Sequence, residues 1–285
     1  MEFHQPASLD AALALLAADP EALPLAGGAT LVAMMNADLV EPSALVSLRA
    51  IAELQTIEAA ADGGLRIGAM ISHAALATET RLAGGNAVVR EAAAGIAHPS
   101  VRNIGTLGGA VAHGDPSSDL PAALVAADAE IEIAGPSGNR AVAAEDFFED
   151  YLTTALQAGE MVSAVLLPAQ PEGAAGHYQK FARVHGDYAT VSVAVVLAMA
   201  GGECSFVRVA LGACGPTPVR AAEAEARLRG TALDAVAVSS AAAILVEESD
   251  PIDDVRGSAE YRLMLVPRLL ARALAAAGAK AEGAP

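Results

Sequence analysis

Apolar residues in this chain come in short runs, and their spacing switches between helical and extended periods. Glu2-Phe3-His4 reads as a short strand. Ser8 then stands before Leu9 to Ala18, where Leu13, Leu15 and Leu16 supply an apolar face. A serine hydroxyl can accept from the open amides of a first helical turn, so a capped helix is predicted there, closed by Asp19-Pro20. Leu23-Pro24-Leu25 leads as a strand into Ala26-Gly27-Gly28, a helix is expected beyond Thr30, and Ala44 to Leu48 reads as a buried strand. Residues 1–55 therefore form one small α/β unit.

From Leu54 the pattern changes. Thr56-Ile57-Glu58 and Leu65-Arg66-Ile67 flank Asp62-Gly63-Gly64, the signature of a hairpin. Ser72 caps a short helix through Ala77. A helix from Val88 to Ile96 ends at His98-Pro99, since the proline ring forces the residue before it out of the α region. Leu120 to Ala126 is helical, with Ser117 or Ser118 as cap. Glu130 to Ala134 and Arg140 to Val142 make a hairpin around Pro136-Ser137-Gly138, and Val162 to Leu167 is a strand stopped by Pro168. These elements make a second unit over 56–172. Gly173 to Gly176 has the composition of a linker. In 173–285, Tyr178 to Ala182, Val191 to Met199 and Phe206 to Leu211 read as an antiparallel sheet. Helices follow at Val219 to Leu228, Asp234 to Glu247 and Ala259 to Ala277, then a loose tail, Gly278 to Pro285.

Composition narrows the function classes. Hydrophobic residues are 54% of the 285, yet no uninterrupted apolar run reaches the roughly 20 residues of a bilayer span. The N-terminus lacks a basic segment followed by an apolar one, so a cytoplasmic protein is expected. A net charge of −17 disfavours nucleic-acid binding, which needs a basic face. The two cysteines, Cys204 and Cys214, fall short of the four that normally ligate an iron–sulfur cluster and form no close-spaced zinc motif. Buried thiols are expected instead. No catalytic triad, P-loop or HExxH can be assembled, and Gly27-Gly28 lacks the third glycine of a dinucleotide fingerprint.

Two glycine bends carry the chemistry. The first is Leu25 to Met35, LAGGATLVAMM; the second is Ile96 to Pro121, IAHPSVRNIGTLGGAVAHGDPSSDLP. Glycine at this density is costly in regular structure, and its usual compensation is close approach of backbone amides to an anion such as a phosphate. The second stretch therefore reads as a loop. Gly27, Gly28, Gly108 and Gly109 are the expected amide donors. Thr30 and Thr106 could bond phosphate oxygens or cap helices. Asp119 could accept from a ribose hydroxyl or cap the helix at Leu120.

The pair AGGAT (Ala26 to Thr30) and NIGTLGGAVAHGDPSSDLP (Asn103 to Pro121), with YQKFARVHGDYATV (Tyr178 to Val191), resembles the FAD-binding medium subunit of the molybdenum hydroxylases. That family includes the carbon monoxide dehydrogenase flavoprotein subunits and the flavin domain of xanthine dehydrogenase. The resemblance covers nearly the whole chain. It implies an α+β fold: a PCMH/VAO-type FAD-binding domain of two α/β subdomains (1–55 and 56–172), then a carbon monoxide dehydrogenase flavoprotein-like domain (173–285) of antiparallel sheet and helices. It implies cofactor-binding roles for Ala26, Gly27, Gly28, Ala29, Thr30 and Leu31 on the first bend. On the second it implies them for Asn103, Gly105, Thr106, Leu107, Gly108, Gly109, Ala110, Asp115 and Asp119, the last toward the adenosine of FAD. Ile96 packs near the nucleotide, the Val162 backbone meets the polar edge of the ring, Lys180 lies beside the flavin and Tyr188 covers one ring face. Some flavoproteins attach FAD through a histidine in the first bend; Ala26 to Thr30 has none, so FAD is expected to be non-covalent. The resemblance further implies a large molybdenum-cofactor subunit and a small [2Fe–2S] subunit, assembled as a dimer of heterotrimers. Electrons would run from the clusters through FAD to an external acceptor. A stand-alone FAD oxidase is the alternative.

Overall fold

The computed structural model describes residues 1–283. The N-terminal unit contains β1 (Glu2–His4), α1 (Leu9–Ala18), β2 (Leu23–Leu25), α2 (Leu31–Asn36) and β3 (Ala44–Ser47), with β3 between β1 and β2 and all three parallel. Ser8 caps α1 as its position predicts, its hydroxyl accepting from the Ala11 amide, a contact worth about 1 kcal/mol. Ala12, Leu16, Val46, Ile51 and Leu54 close the core of this unit.

The second unit holds β4 (Ile57–Ala59), β5 (Leu65–Gly68), α3 (His73–Thr78), α4 (Ala87–Gly95), α5 (Pro99–Ile104), α6 (Leu107–His113) and α7 (Asp119–Ala126). It continues with β6 (Glu130–Gly135), β7 (Gly138–Ala143), α8 (Ala144–Phe147), β8 (Phe148–Asp150), β9 (Thr153–Thr154) and β10 (Met161–Leu167). Its five-stranded sheet runs β4-β5-β10-β6-β7, antiparallel throughout, while β8 and β9 pair on their own. The stretch expected as one glycine-rich loop is instead α5 and α6, followed by the start of α7. Pro99 starts α5 at a position where its missing amide has no helical partner to lose. Here His98-Pro99 separates two helices rather than opening a loop.

The third unit is β11 (Ala175–Phe181), β12 (Val191–Ala200) and β13 (Glu203–Gly212), then α9 (Ala222–Leu228), α10 (Ala235–Glu247) and α11 (Ala259–Ala281). The strands pair antiparallel with β12 central, and Gly201-Gly202 turns β12 into β13 with φ of 62° and 84°. The expected linker is shorter than its composition suggests, because Ala175 and Gly176 already belong to β11. A methyl group on Gly176 would lie 2.2 Å from the Gly85 carbonyl oxygen, so this glycine serves close packing, not flexibility. The helix expected from Val219 starts at Ala222, since Val219 exchanges backbone bonds with Leu211. The tail expected to be loose from Gly278 is helical through Ala281, and positions 284–285 lie outside the described residues.

Strand β12 joins the second and third units. Its Ala194, Val196 and Ala198 enter the core that holds Leu107, Leu120 and Ile131. Its alternate residues Val191, Val193, Val195 and Leu197 pack with Val266, Leu270 and Leu274 of α11. A strand buried on both faces needs an unbroken apolar run, as VSVAVVLAMA provides. Among the described residues no helix is long and apolar enough to cross a membrane.

Glu91 on α4 ties the units together at their surface. Its carboxylate accepts from His177 Nδ1 at 2.8 Å, the Tyr178 amide at 3.1 Å and Lys280 Nζ at 2.5 Å. Burial pushes this carboxyl up, but the three donors outweigh it and hold it at about 2. A folded-state value below the ordinary one stabilises the fold above pH ~4.5, and the stabilisation is lost as pH falls toward 2. Glu91→Gln is therefore expected to lower unfolding free energy at pH 7 by on the order of 1–3 kcal/mol, read by urea denaturation. The gap between variant and wild type should narrow on acidification; a gap constant from pH 7 to 3 would contradict this.

Candidate functional site

The two glycine bends meet. A methyl group on Gly27 would come 1.6 Å from the Ile104 carbonyl oxygen, and one on Gly109 would be 3.6 Å from Ala26 Cβ. The bend after β2 therefore lies backbone to backbone on the α5–α6 corner, which no side chain at position 27 would permit. Gly28 has φ +77°, a left-handed conformation that lets successive amides converge. Among the described residues, the amides of Gly27, Gly28, Ala29 and Thr30 donate to no protein acceptor, and the Thr30 hydroxyl makes no capping bond.

The second bend differs from expectation. The Leu107 amide donates to Ile71 O at 2.9 Å and that of Gly108 to Ala69 O at 2.8 Å. The Gly109 amide donates to Thr106 Oγ1 at 3.1 Å and that of Ala110 to Thr106 O at 3.0 Å. Thr106 is thus the helix cap of α6, and the amides of Gly108 and Gly109 already have protein partners. What these glycines contribute is space: a methyl group on Gly108 would sit 2.4 Å from Ala69 Cβ.

Between the bends lies a cavity of about 600 Å³. Every residue predicted from the sequence lines it except three. Asn103 is exposed on α5, Leu107 is buried in the core, and Lys180 stands behind the wall. The Lys180 ammonium donates to Gly95 O at 2.9 Å and Asp187 O at 3.0 Å, and lies 2.9 Å from the Asp119 carboxylate. It therefore joins the end of α4, the start of α7 and the 183–188 loop. Asp119 also accepts from the Tyr178 hydroxyl at 2.7 Å. Burial pushes the Asp119 carboxyl up, and the Lys180 ammonium and Tyr178 hydroxyl oppose that shift.

Tyr188 lies on the cavity rim, 39% exposed, with the Arg256 guanidinium 5.0 Å from its ring centroid. Arg256 is in turn 3.2 Å from Asp254. The wall also includes residues the sequence did not single out: His73, Glu160 and Asp187. Glu160 is bound to Arg140 at 2.7 Å. His73 opens α3, and nothing in its local pattern distinguished it from a residue at any helix start. Burial, and after it the Arg102 charge, lowers its imidazole to about 4, so the ring is neutral at neutral pH. The cavity lining carries Asp115, Asp119, Glu160 and Asp187 but no lysine or arginine. Such a site suits an elongated ligand whose anionic part is met by backbone dipoles and whose hydroxyls are met by a carboxylate.

Comparison with known proteins agrees with that chemistry. A family described as the FAD binding domain in molybdopterin dehydrogenase matches residues 1–170, and one described as the CO dehydrogenase flavoprotein C-terminal domain matches residues 176–277. The chain is 40% identical to the carbon monoxide dehydrogenase medium chain of Afipia carboxidovorans, covering 99% of this chain and 98% of that one. It is 35% identical to the nicotine 6-hydroxylase medium subunit of Paenarthrobacter nicotinovorans, covering 98% of each. Among solved structures, a Cu,Mo-CO dehydrogenase chain superposes with a TM-score of 0.94 at 40% identity over 97% of both chains. A chain of quinoline 2-oxidoreductase from Pseudomonas putida gives 0.91 at 36% identity, covering 100% of this chain and 98% of that one. The expected α+β architecture, the FAD cofactor and the oxidoreductase class stand on these matches. The protein belongs to the FAD-binding medium subunits of the molybdenum hydroxylase family.

Proposed function

We propose that FAD binds non-covalently between the two bends and relays electrons from [2Fe–2S] clusters on a small partner chain to an external acceptor. A large partner chain would hold the molybdenum cofactor and oxidise the substrate, in a cytoplasmic dimer of heterotrimers. The observation that carries this reading is the meeting of the bends: unpaired amides at Gly27 to Thr30 open on a cavity of about 600 Å³ built without a catalytic side-chain set of its own. Cys204 and Cys214 are both buried thiols, burial pushing Cys214 up to about 12, so the clusters have to come from another chain.

When bound, FAD supplies a centre that accepts electrons singly and releases them singly or in pairs. The protein's part is to hold it. The amides of Gly27 to Thr30 take the diphosphate, and Asp119, fixed by Tyr178 and Lys180, takes a ribose hydroxyl. Val162 and Tyr188 bound the ring, and Ile96 packs beside the nucleotide. Lys180 acts from behind Asp119 rather than on the flavin. The division of residues at 56 and 173 assigns the first bend to one subdomain and the second bend to the next, so the cofactor bridges them.

Two outcomes follow. Gly27→Val should force the bends apart, and protein purified with its partners should then carry less than about a tenth of the wild-type flavin absorbance, the affinity loss expected from losing several amide contacts. Full flavin content would remove the cavity as the site. In the assembled complex, the substrate of the molybdenum chain (carbon monoxide, a purine, an N-heteroaromatic or an aldehyde, tried in turn) should bleach the flavin. The FAD-loaded chain separated from its partners should not respond; bleaching there would favour a stand-alone oxidase.

A further inference from the structure

Among the described residues of the cavity wall, His73 is the one with an enclosed side-chain polar atom left without a partner. It is 95% buried by its 5% exposure, and its Nδ1 is enclosed with no hydrogen-bond partner among the described residues. Its backbone amide donates to Gly105 O at 3.0 Å, which fixes the start of α3 against the α5–α6 corner. The opposite edge of the ring faces the place where a Gly105 side chain would be: Cδ2 is 2.7 Å and Nε2 2.8 Å from that position. Gly105 Cα is itself 3.2 Å from the position of a Gly27 side chain. The imidazole edge therefore lies beside the contact between the two bends, next to the unpaired amides. Any residue other than glycine at 105 would cover it.

The tautomer follows from the burial. An enclosed N–H without an acceptor is among the least tolerated polar groups in a protein, whereas an enclosed lone pair is tolerated better. The neutral ring therefore keeps its lone pair at Nδ1 and its hydrogen at Nε2, on the cavity edge. A cationic ring would need a second N–H at Nδ1, where nothing accepts it. The charges of the surrounding helices favour the neutral form as well. Arg102 on α5 reaches the ring with positive charge, and α4 carries Arg90 and Glu91, the latter committed to His177 and Lys280.

We propose that His73, as a neutral imidazole, donates its Nε2 hydrogen to an oxygen of the FAD diphosphate, and that glycine at 105 keeps that donor uncovered. The inference rests on the cavity being the FAD site. With no lysine or arginine on the wall, the diphosphate is met by polar N–H groups alone, four from the first bend and one from His73.

The test is titration of the deflavinated protein with FAD, for wild type, His73→Phe and His73→Gln. His73→Phe should weaken binding about tenfold or more, the loss of one hydrogen bond to a charged acceptor, while His73→Gln, which keeps an N–H donor, should recover most of it. The 31P resonances of bound FAD should shift in His73→Phe. In wild-type protein labelled with 15N-histidine, Nδ1 of His73 should show an unprotonated signal both with and without FAD, and Nε2 should shift on binding. Unchanged FAD affinity in His73→Phe, or a protonated Nδ1, overturns the proposal; if that variant fails to fold, the 15N spectrum of wild type decides alone. If Gly27→Val also leaves FAD affinity intact, the cavity itself is not the site. If Gly27→Val loses FAD while His73→Phe keeps it, only the His73 contact fails.

Discussion

The cavity depends on one steric fact: Gly27 lies so close to Ile104 that a methyl group there would overlap the carbonyl oxygen at 1.6 Å. The contact joins a bend of the parallel β1-β3-β2 unit to a corner of the antiparallel unit. It sets their spacing through the backbone, which is stiffer than any pair of side chains. Beside it, the run of consecutive free amides, Gly27 to Thr30, belongs to the first bend. The second bend is a helix start whose amides are held by Ala69, Ile71 and Thr106, so it forms a rigid wall. The first bend has no such partners and is left able to meet a ligand.

A second constraint comes from the third unit. Lys180 lies on β11, yet its ammonium binds Asp119, Gly95 and Asp187, which belong to α7, α4 and the rim loop. A buried cation with three oxygen partners is costly to break, since losing it would strand the Asp119 carboxylate in a desolvated place. The Asp119 carboxylate and the loop carrying Tyr188 are therefore positioned by a strand that does not line the cavity. Arg256 adds to this from the other side, packing on the Tyr188 ring and holding Asp254. Orientation of the rim is thus a property of the third unit, although most of the cavity wall belongs to the first two.

Much of this was legible in the residues. Ser8 and Ser72 announced two helices because a hydroxyl before an apolar period has one common use, and both accept the predicted amides. The antiparallel pairing of β12 with β13 matches the sheet read over Val191 to Met199 and Phe206 to Leu211. The glycine bends pointed to the cavity, and of the residues the family motif named all but Asn103, Leu107 and Lys180 line it. What failed was the reading of glycine as loop. Gly108 and Gly109 sit in a helix because the Thr106 cap and contact with Ala69 outweigh the roughly 1 kcal/mol that glycine costs there. Gly176 looked like a hinge and is a strand residue packed on Gly85. Lys180 was expected beside the flavin from the family resemblance, and its three oxygen partners could not be read from a sequence that shows a cation but not what it meets. His73 gave no signal at all, since its meaning comes from Gly105, a residue on a different helix corner.

The acidity of the chain sharpens the problem the site has to solve. A protein of net charge −17 that binds a diphosphate would ordinarily place lysine or arginine on it, and the wall has neither. Its four carboxylates are instead restrained: Asp119 by Lys180, Glu160 by Arg140, Asp187 by Arg183 and Arg256, and Asp115 by the Ser117 amide. Cations are thus placed behind the wall, where they hold carboxylates in position, and neutral dipoles face the ligand. In the proposed binding mode, amides and a neutral imidazole would meet an anion without adding a mobile charge beside a centre whose own charge would change as electrons pass. A lysine at the diphosphate would tighten binding but would also bias the flavin toward its more negative, reduced form. A flavin acting as the relay proposed above would have to give its electrons up again, and a wall of fixed dipoles leaves that bias to be set elsewhere.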